Sequence, residues 1–266
     1  MKPLIILITL ALFLSLPMPV PAAEELDAIA EKAPTGKMYE RAVQFFTEKI
    51  PEAFEMQLDR SQQYIDVITD IFSDKGIPID VAYLPLIESG FSPLSVGRGD
   101  AVGLWQLVRG TAKKYGLRID QYVDERKDPV KSTYAAAGYL KDLYNTFGAW
   151  DIALAAYNAG DAKIKRLRKK YKDARLPGFS NRYLAKFMAA SDVAQDPENY
   201  GLTSSAGTMS GDDDNGYREL ITYKRISLDK IASSYNTTVR AIRKLNPALL
   251  TNTTPPYQYV IRLPKS

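Results

Sequence analysis

The sequence predicts a mainly α protein with a small β-α-α-β module at its C-terminal end. Three observations carry that expectation. Apolar residues recur at helical spacing through most of the chain from about residue 25 to residue 195. Gly and Pro interrupt that stretch where helices should stop. Strand-like alternation is confined to residues 217–266, behind a polar linker. With 266 residues the chain is long enough for one sizeable core and one small module.

Residues 1–23 read as a secretory signal. Lys2 gives a positive start, Leu4 to Leu16 is almost wholly apolar, and Pro17, Pro19 and Pro21 break the run. Val20-Pro21-Ala22-Ala23 then offers small residues for cleavage. The apolar run falls short of the roughly 20 residues a membrane span needs. An uncleaved anchor is the alternative. Either reading exports the protein to the periplasm or cell envelope, with peripheral association with membrane or wall as a further expectation.

Residues 24–77 form a helical extension. Pro51 should start a helix, and Tyr64, Val67, Ile68, Ile71 and Phe72 make one apolar stripe that Gly76 and Pro78 close. A second helical unit spans residues 78–202. Asp80 is expected to cap the helix carrying Glu88, which Gly90 and Pro93 stop. Thr111 is expected to cap a helix closed by Gly116. In Asp124 to Pro129, Arg126 should be held by Asp124 or Asp128, and Ser132 or Thr133 should open the next helix. Ala136, Leu140, Leu143, Tyr144 and Phe147 continue as core, Asp151 can cap Ile152 to Asn158, and Gly160 stops that helix. Tyr183, Leu184, Phe187 and Ala190 share one face of a helix from Arg182 to Val193. Residues 203–216 are linker material. In the tail, strands are expected at Glu219 to Arg225 and Tyr257 to Leu263. Between them, one helix is opened by Ser227 and one by Thr237 or Thr238.

Composition narrows the chemistry. The chain has no His and no Cys. That excludes Ser-His-Asp and Cys-His relays, Cys/His zinc sites and disulfides, and no metal or other cofactor is implied. Acid–base work must fall to Asp, Glu, Lys or Tyr. A net charge of +4 does not suggest a nucleic-acid binder. The run Lys163, Lys165, Arg166, Arg168, Lys169, Lys170 and Lys172 is either a solvated helix face or a weak attractor for an anionic polymer.

Glu88 is the candidate catalytic group. It stands in LPLIESGFSP, an apolar and small-residue setting, near the end of a helix. Partial burial and the negative end of the helix dipole both favour its protonated form, the state a general acid needs. Judged on that segment alone, a surface Glu at a helix end is the better-supported reading. Two further segments add polar groups: GLWQL supplies Gln106 beside Trp105, and ALAAYNAG supplies Tyr157 and Asn158. Trp105 is read as core. Asp100 is the nearest alternative carboxylate, and a weak one.

IESGFSP, AVGLWQL, GTAKKYGL, DERKDP, STYAAAGYL and ALAAYNAG, in this order, resemble the lysozyme-like lytic transglycosylases, most closely the membrane-bound lytic murein transglycosylase D type. The resemblance covers roughly residues 60–200 and implies a lysozyme-like (goose-type/SLT) helical domain. The tail is similar to the LysM repeat but lacks the glycine-aspartate pair usual before its first helix. The resemblance also implies roles by position. Glu88 is the single acid/base. Ser89 positions the carboxyl group or the sugar, and Gln106 binds glycan. Tyr157 hydrogen-bonds Glu88, Asn158 accompanies it, and Tyr183 is a later cleft tyrosine. Arg109 stands where Pro is usual, Gly97 where Ser is common and Asp100 where Gly is common, and LPGFSNRY replaces the usual segment before Tyr183. The implied substrate is the peptidoglycan glycan strand. A lysozyme-type hydrolase and a non-catalytic wall-binding protein are the rival expectations.

Overall fold

The structure is a computed structural model that describes residues 36–171, 178–203 and 216–265. The signal segment, most of the linker and part of LPGFSNRY lie outside the described residues. Eleven α-helices, several short 3-10 turns, one π-helical turn and one two-stranded sheet are described.

Helix α1 (Lys37–Gln44) runs into a π-helical turn, Phe45–Lys49. Pro51 then starts α2 (Pro51–Ser61), as its fixed φ favours. Helix α3 (Ile65–Asp74) buries Ile68, Ile71 and Phe72 from the expected stripe. A 3-10 turn at Ile79–Tyr83 leads into α4 (Leu84–Glu88). Asp80 does not cap α4: Tyr83 occupies the N-cap position, and the Asp80 carboxylate accepts from Gln195 at 3.0 Å.

Helix α5 (Arg109–Lys114) begins before Thr111, with Val108 at its N-cap. Helix α6 (Pro129–Phe147) is capped by Asp128, whose Oδ1 accepts from Val130 N at 3.0 Å and Lys131 N at 2.9 Å. Ser132 and Thr133 therefore do not open it; both lie buried within its first turns, bonded back to the Pro129 carbonyl. The Asp128-Pro129 pair was the cap signal: a carboxylate at N-cap ahead of Pro at N1. Helix α7 (Trp150–Ala159) starts earlier than expected, with Ala149 at the cap and Asp151 inside the first turn. Helices α8 (Asp161–Tyr171) and α9 (Gly178–Gln195) complete the larger unit.

One continuous apolar core joins these helices, from Phe46 and Phe54 through Leu84, Trp105 and Leu140 to Leu154 and Phe187. Helix α9 packs against α1, α4 and α7, and α3 packs against α6. The C-terminal module has strand β1 (Tyr217–Thr222), α10 (Leu228–Ser234), α11 (Val239–Leu245) and strand β2 (Tyr259–Pro264). β1 and β2 pair antiparallel, Tyr217 opposite Pro264 and Thr222 opposite Tyr259. Ser227 and Thr238 cap its two helices, accepting from Asp229 N and Ala241 N. Its small core of Leu228, Ile231, Ile242, Leu249, Ile261 and Leu263 includes one residue of the larger unit, Val123. No described helix is long and apolar enough to cross a membrane.

Candidate active site

Glu88 is the last residue of α4. Buried Leu84, Pro85 and Leu86 bind this short helix to the core, so its end is fixed by packing rather than by helix propensity. The chain then reverses through Gly90 (φ +59°), whose carbonyl accepts from Arg60 Nε at 2.8 Å.

The Glu88 carboxyl is partly buried, and Tyr183 OH donates to its Oε1 at 2.6 Å. Burial pushes the Glu88 pKa up, against the opposing pull of the Tyr183 hydrogen bond and the Lys186 ammonium charge. The same burial, with the nearby Glu88 charge, holds the hydroxyls of Tyr157 and Tyr183 well above the usual phenol range. Both phenols therefore stay neutral and act as hydrogen-bond donors. Lys186 lies one turn beyond Tyr183 on α9, and its own pKa is lowered, mainly by burial.

The expected partner of Glu88 was Tyr157. The structure instead gives that hydrogen bond to Tyr183, while Tyr157 OH donates to the Trp105 carbonyl at 2.7 Å. The physical reason is where the elements lie. Helix α9 packs directly on α4, whereas Tyr157 on α7 faces the loop after it. Tyr157 remains in electrostatic reach of Glu88.

The loop that holds Gln106 is built from hydrogen bonds rather than regular structure. Ser89 Oγ donates to the Leu104 carbonyl at 2.8 Å, tying the end of α4 to this loop. Trp105 is fully buried, and its Nε1 donates to Thr133 Oγ1 at 2.9 Å. Gln106 sits at φ +48° with its amide folded back, Nε2 donating to the Gly103 carbonyl at 2.9 Å. A Cβ on Gly97 would lie 2.2 Å from Gln106 Oε1, so the Gly at 97 leaves room for this folded-back amide. Asn158 is exposed on α7, next to Tyr157.

Asp100 is committed elsewhere. It pairs with Arg126 at 3.3 Å and Arg109 at 3.2 Å, and the Arg126 hydrogen bond, with both positive charges, holds its pKa below the usual value. Arg126 is also bound by Asp124, at 2.7 Å, while Asp128 pairs with Arg262. Arg109, the departure from Pro, thus serves the same carboxylate as Arg126 does. No cluster of three or more metal-ligating side chains occurs among the described residues. Sequence reasoning missed Lys186 near Glu88; its signal was helical spacing, three residues after Tyr183.

The site gathers one carboxyl of raised pKa and two neutral phenols on a helical scaffold, and known proteins share its sequence pattern. Residues 75–176 match the model of the Transglycosylase SLT domain, and residues 220–266 that of the LysM-like domain of lytic transglycosylase MltD. The chain therefore carries an SLT transglycosylase domain followed by an MltD-type LysM-like domain, and it is homologous to membrane-bound lytic murein transglycosylase D of Escherichia coli K12. It is 30% identical to that protein over 153 residues, covering 54% of this chain and 34% of the relative. A "Putative tributyltin chloride resistance protein" of Alteromonas sp. is 33% identical over 123 residues, covering 46% of this chain and 59% of that one. The chain thus spans about a third to three-fifths of these relatives. The 70 kDa soluble lytic transglycosylase of Escherichia coli superposes with a TM-score of 0.43 at 16% identity, over 68% of this chain and 35% of that one. Tyr183 lies beyond the matched SLT span.

Proposed function

We propose that this protein is a peptidoglycan lytic transglycosylase of the cell envelope. It cleaves the β-1,4 bond between N-acetylmuramic acid and N-acetylglucosamine and leaves 1,6-anhydromuramic acid ends. The supporting observation is Glu88: a partly buried carboxyl raised in pKa, with a neutral phenol on Oε1. The export signal read at residues 1–23 and the membrane-bound relative support an envelope location.

Protonated Glu88 gives its proton to the glycosidic oxygen, and the C1–O bond breaks as positive charge builds at C1. With Tyr183 occupying Oε1, the acidic proton is left to the other oxygen, which fixes its direction. The substrate's 2-acetamido group stabilises C1, so no second protein carboxylate is needed; substrate-assisted glycosidases work in this way. Glu88, now a carboxylate, takes the proton of the muramic O6 hydroxyl as that oxygen bonds C1. The acid is regenerated and no water is consumed. Lys186 favours the carboxylate formed midway. Such proton transfer contributes about 10²–10⁴-fold in rate. Within this scheme Gln106, Tyr157 and Asn158 serve the glycan, and Ser89 fixes the loop against α4.

Digestion of purified sacculi with mass analysis of the released ends tests the reading. Anhydro ends from the wild type, and none from Glu88→Gln, are expected. Reducing ends, one water heavier, would assign a hydrolase instead. Glycan binding without release from the wild type would make the protein a wall-binding module.

A further inference from the structure

The C-terminal module is seated on the larger unit along Asp120 to Asp128. Leu250 N donates to the Tyr122 carbonyl at 2.8 Å and Asp124 N to the Ala248 carbonyl at 2.9 Å, a short antiparallel bridge between Val123 and Leu249. Tyr257 OH donates to Asp120 Oδ2 at 2.5 Å, and the Arg118 guanidinium lies 4.0 Å from the Tyr257 ring centre. Arg262 pairs with the buried Asp128 at 3.0 Å. Val123 is fully buried in the module's own core. A solvated tether between independent domains would not place a residue of one inside the apolar core of the other.

The far side of the same segment holds the loop of the candidate site. Arg126 is 1% exposed and uses every donor of its guanidinium. Nε and one Nη bind the Asp124 carboxylate at 2.9 and 2.7 Å. The remaining donors reach the Asp100 carbonyl at 2.5 Å, the Leu107 carbonyl at 3.2 Å and Asp100 Oδ1 at 3.3 Å. These acceptors bracket Gln106. Gly103 sits so close that a Cβ there would lie 1.9 Å from the Arg126 carbonyl oxygen. A second route runs through Asp128, which caps α6 with one oxygen and takes Arg262 with the other. Thr133 on α6 then accepts from Trp105 Nε1.

We propose that the LysM-like module is a brace of the catalytic loop. By holding residues 120–128 it fixes Arg126 and the start of α6, and through them the 100–107 loop that carries Gln106 and anchors Tyr157 and Ser89. Arg126 and Arg262 are positioning residues. The module acts on turnover from its docked place, beyond any affinity for wall glycan. This inference rests on the transglycosylase reading for its activity readout, and on hydrogen exchange for a readout independent of it.

The test uses the full chain. Tyr257→Phe with Arg262→Ala removes the two side-chain locks. Val123→Asp, which puts a charge in the seam from the larger unit and leaves the module's own sequence intact, forces undocking where the milder pair leaves it closed. Val123 and Leu249 are a non-hydrogen-bonded antiparallel pair, the close class suited to a disulfide. The chain has no other cysteine, so Val123→Cys with Leu249→Cys can relock the seam in the Tyr257→Phe, Arg262→Ala background. The expected result of undocking is faster amide exchange at 100–107 and a kcat lowered roughly ten- to a hundredfold. Sacculus binding should be largely kept, and the disulfide should restore both exchange protection and kcat. Undocked protein with unchanged exchange at 100–107 and unchanged kcat would overturn the brace. So would a disulfide that closes in the wild type and abolishes turnover. Loss of all activity by the wild type would refute the enzymatic reading alone, while the exchange result would still decide the brace.

Discussion

Arg126→Ala is the sharpest probe of how this molecule is held together. The substitution removes all the contacts of a guanidinium that is 1% exposed. Asp124, 7% exposed, keeps only the backbone amide of residue 126 as a donor to its Oδ1 and loses its bidentate cation. The Asp100 and Leu107 carbonyls lose theirs too. Breaking a buried pair from one side leaves an uncompensated charge and typically costs about 3–5 kcal/mol. Equilibrium unfolding in urea should show that loss. Arg126→Lys should recover only part of it, because an ammonium cannot form the two-pronged bond. Asp124→Asn with Arg126→Met removes both charges and should cost less than Arg126→Ala alone. A loss under about 1 kcal/mol for Arg126→Ala, or a double variant worse than the single, would refute the account.

Other outcomes follow from the site. Glu88→Gln should abolish release of muropeptides from sacculi. It should also raise Tm at neutral pH, because the uncharged amide does not carry the buried charge. The sign follows from the raised folded-state pKa of Glu88. The protonated form contributes stability below the unfolded-state pKa, and that stability is lost as pH rises through the folded value. The Tm gain should therefore vanish in acid. Tyr183→Phe removes a hydrogen bond that lowers the Glu88 pKa, so the alkaline limb of the rate profile should move up in pH while the maximum rate falls. Lys186→Met should move that limb the same way. Gly97→Ser should displace the folded-back Gln106 amide and lower KM for glycan chains, with a stability change under about 0.5 kcal/mol because only a side-chain tip must give. An unchanged KM would show that Gln106 does not reach the sugar.

What was legible in the sequence was what local physics determines. The stripe on α3, the Pro at the start of α2 and the capping Ser227 and Thr238 all act within a turn or two of chain. The misread caps failed because a polar side chain has more than one use. Asp80 found Gln195, 115 residues away, and Thr133 was taken up by its own helix and by Trp105. The exchange of roles between Tyr157 and Tyr183 has the same origin. Tyr183 and Glu88 are 95 residues apart, and their meeting depends on α9 lying across α4, which no local pattern encodes.

The distribution of carboxylates sets Glu88 apart, and the proposed reaction rests on that difference. Asp100 and Asp124 share Arg126, and Asp128 holds Arg262, so each is held in a structural ion pair. Glu88 makes no ion pair among the described residues; its close partner is a neutral phenol that can donate a hydrogen bond but cannot cancel a charge. Burial therefore raises Glu88 while ion pairing lowers Asp100, so these two carboxyls occupy opposite protonation states over a common pH range. In a chain without His, the proposed reaction draws its proton donor from this separation. The same separation makes the arginine network part of the site's electrostatics as well as its scaffold. Freeing Asp100 from Arg126 would release a carboxylate into the loop that carries Gln106, where the lone-acid arrangement depends on its being held.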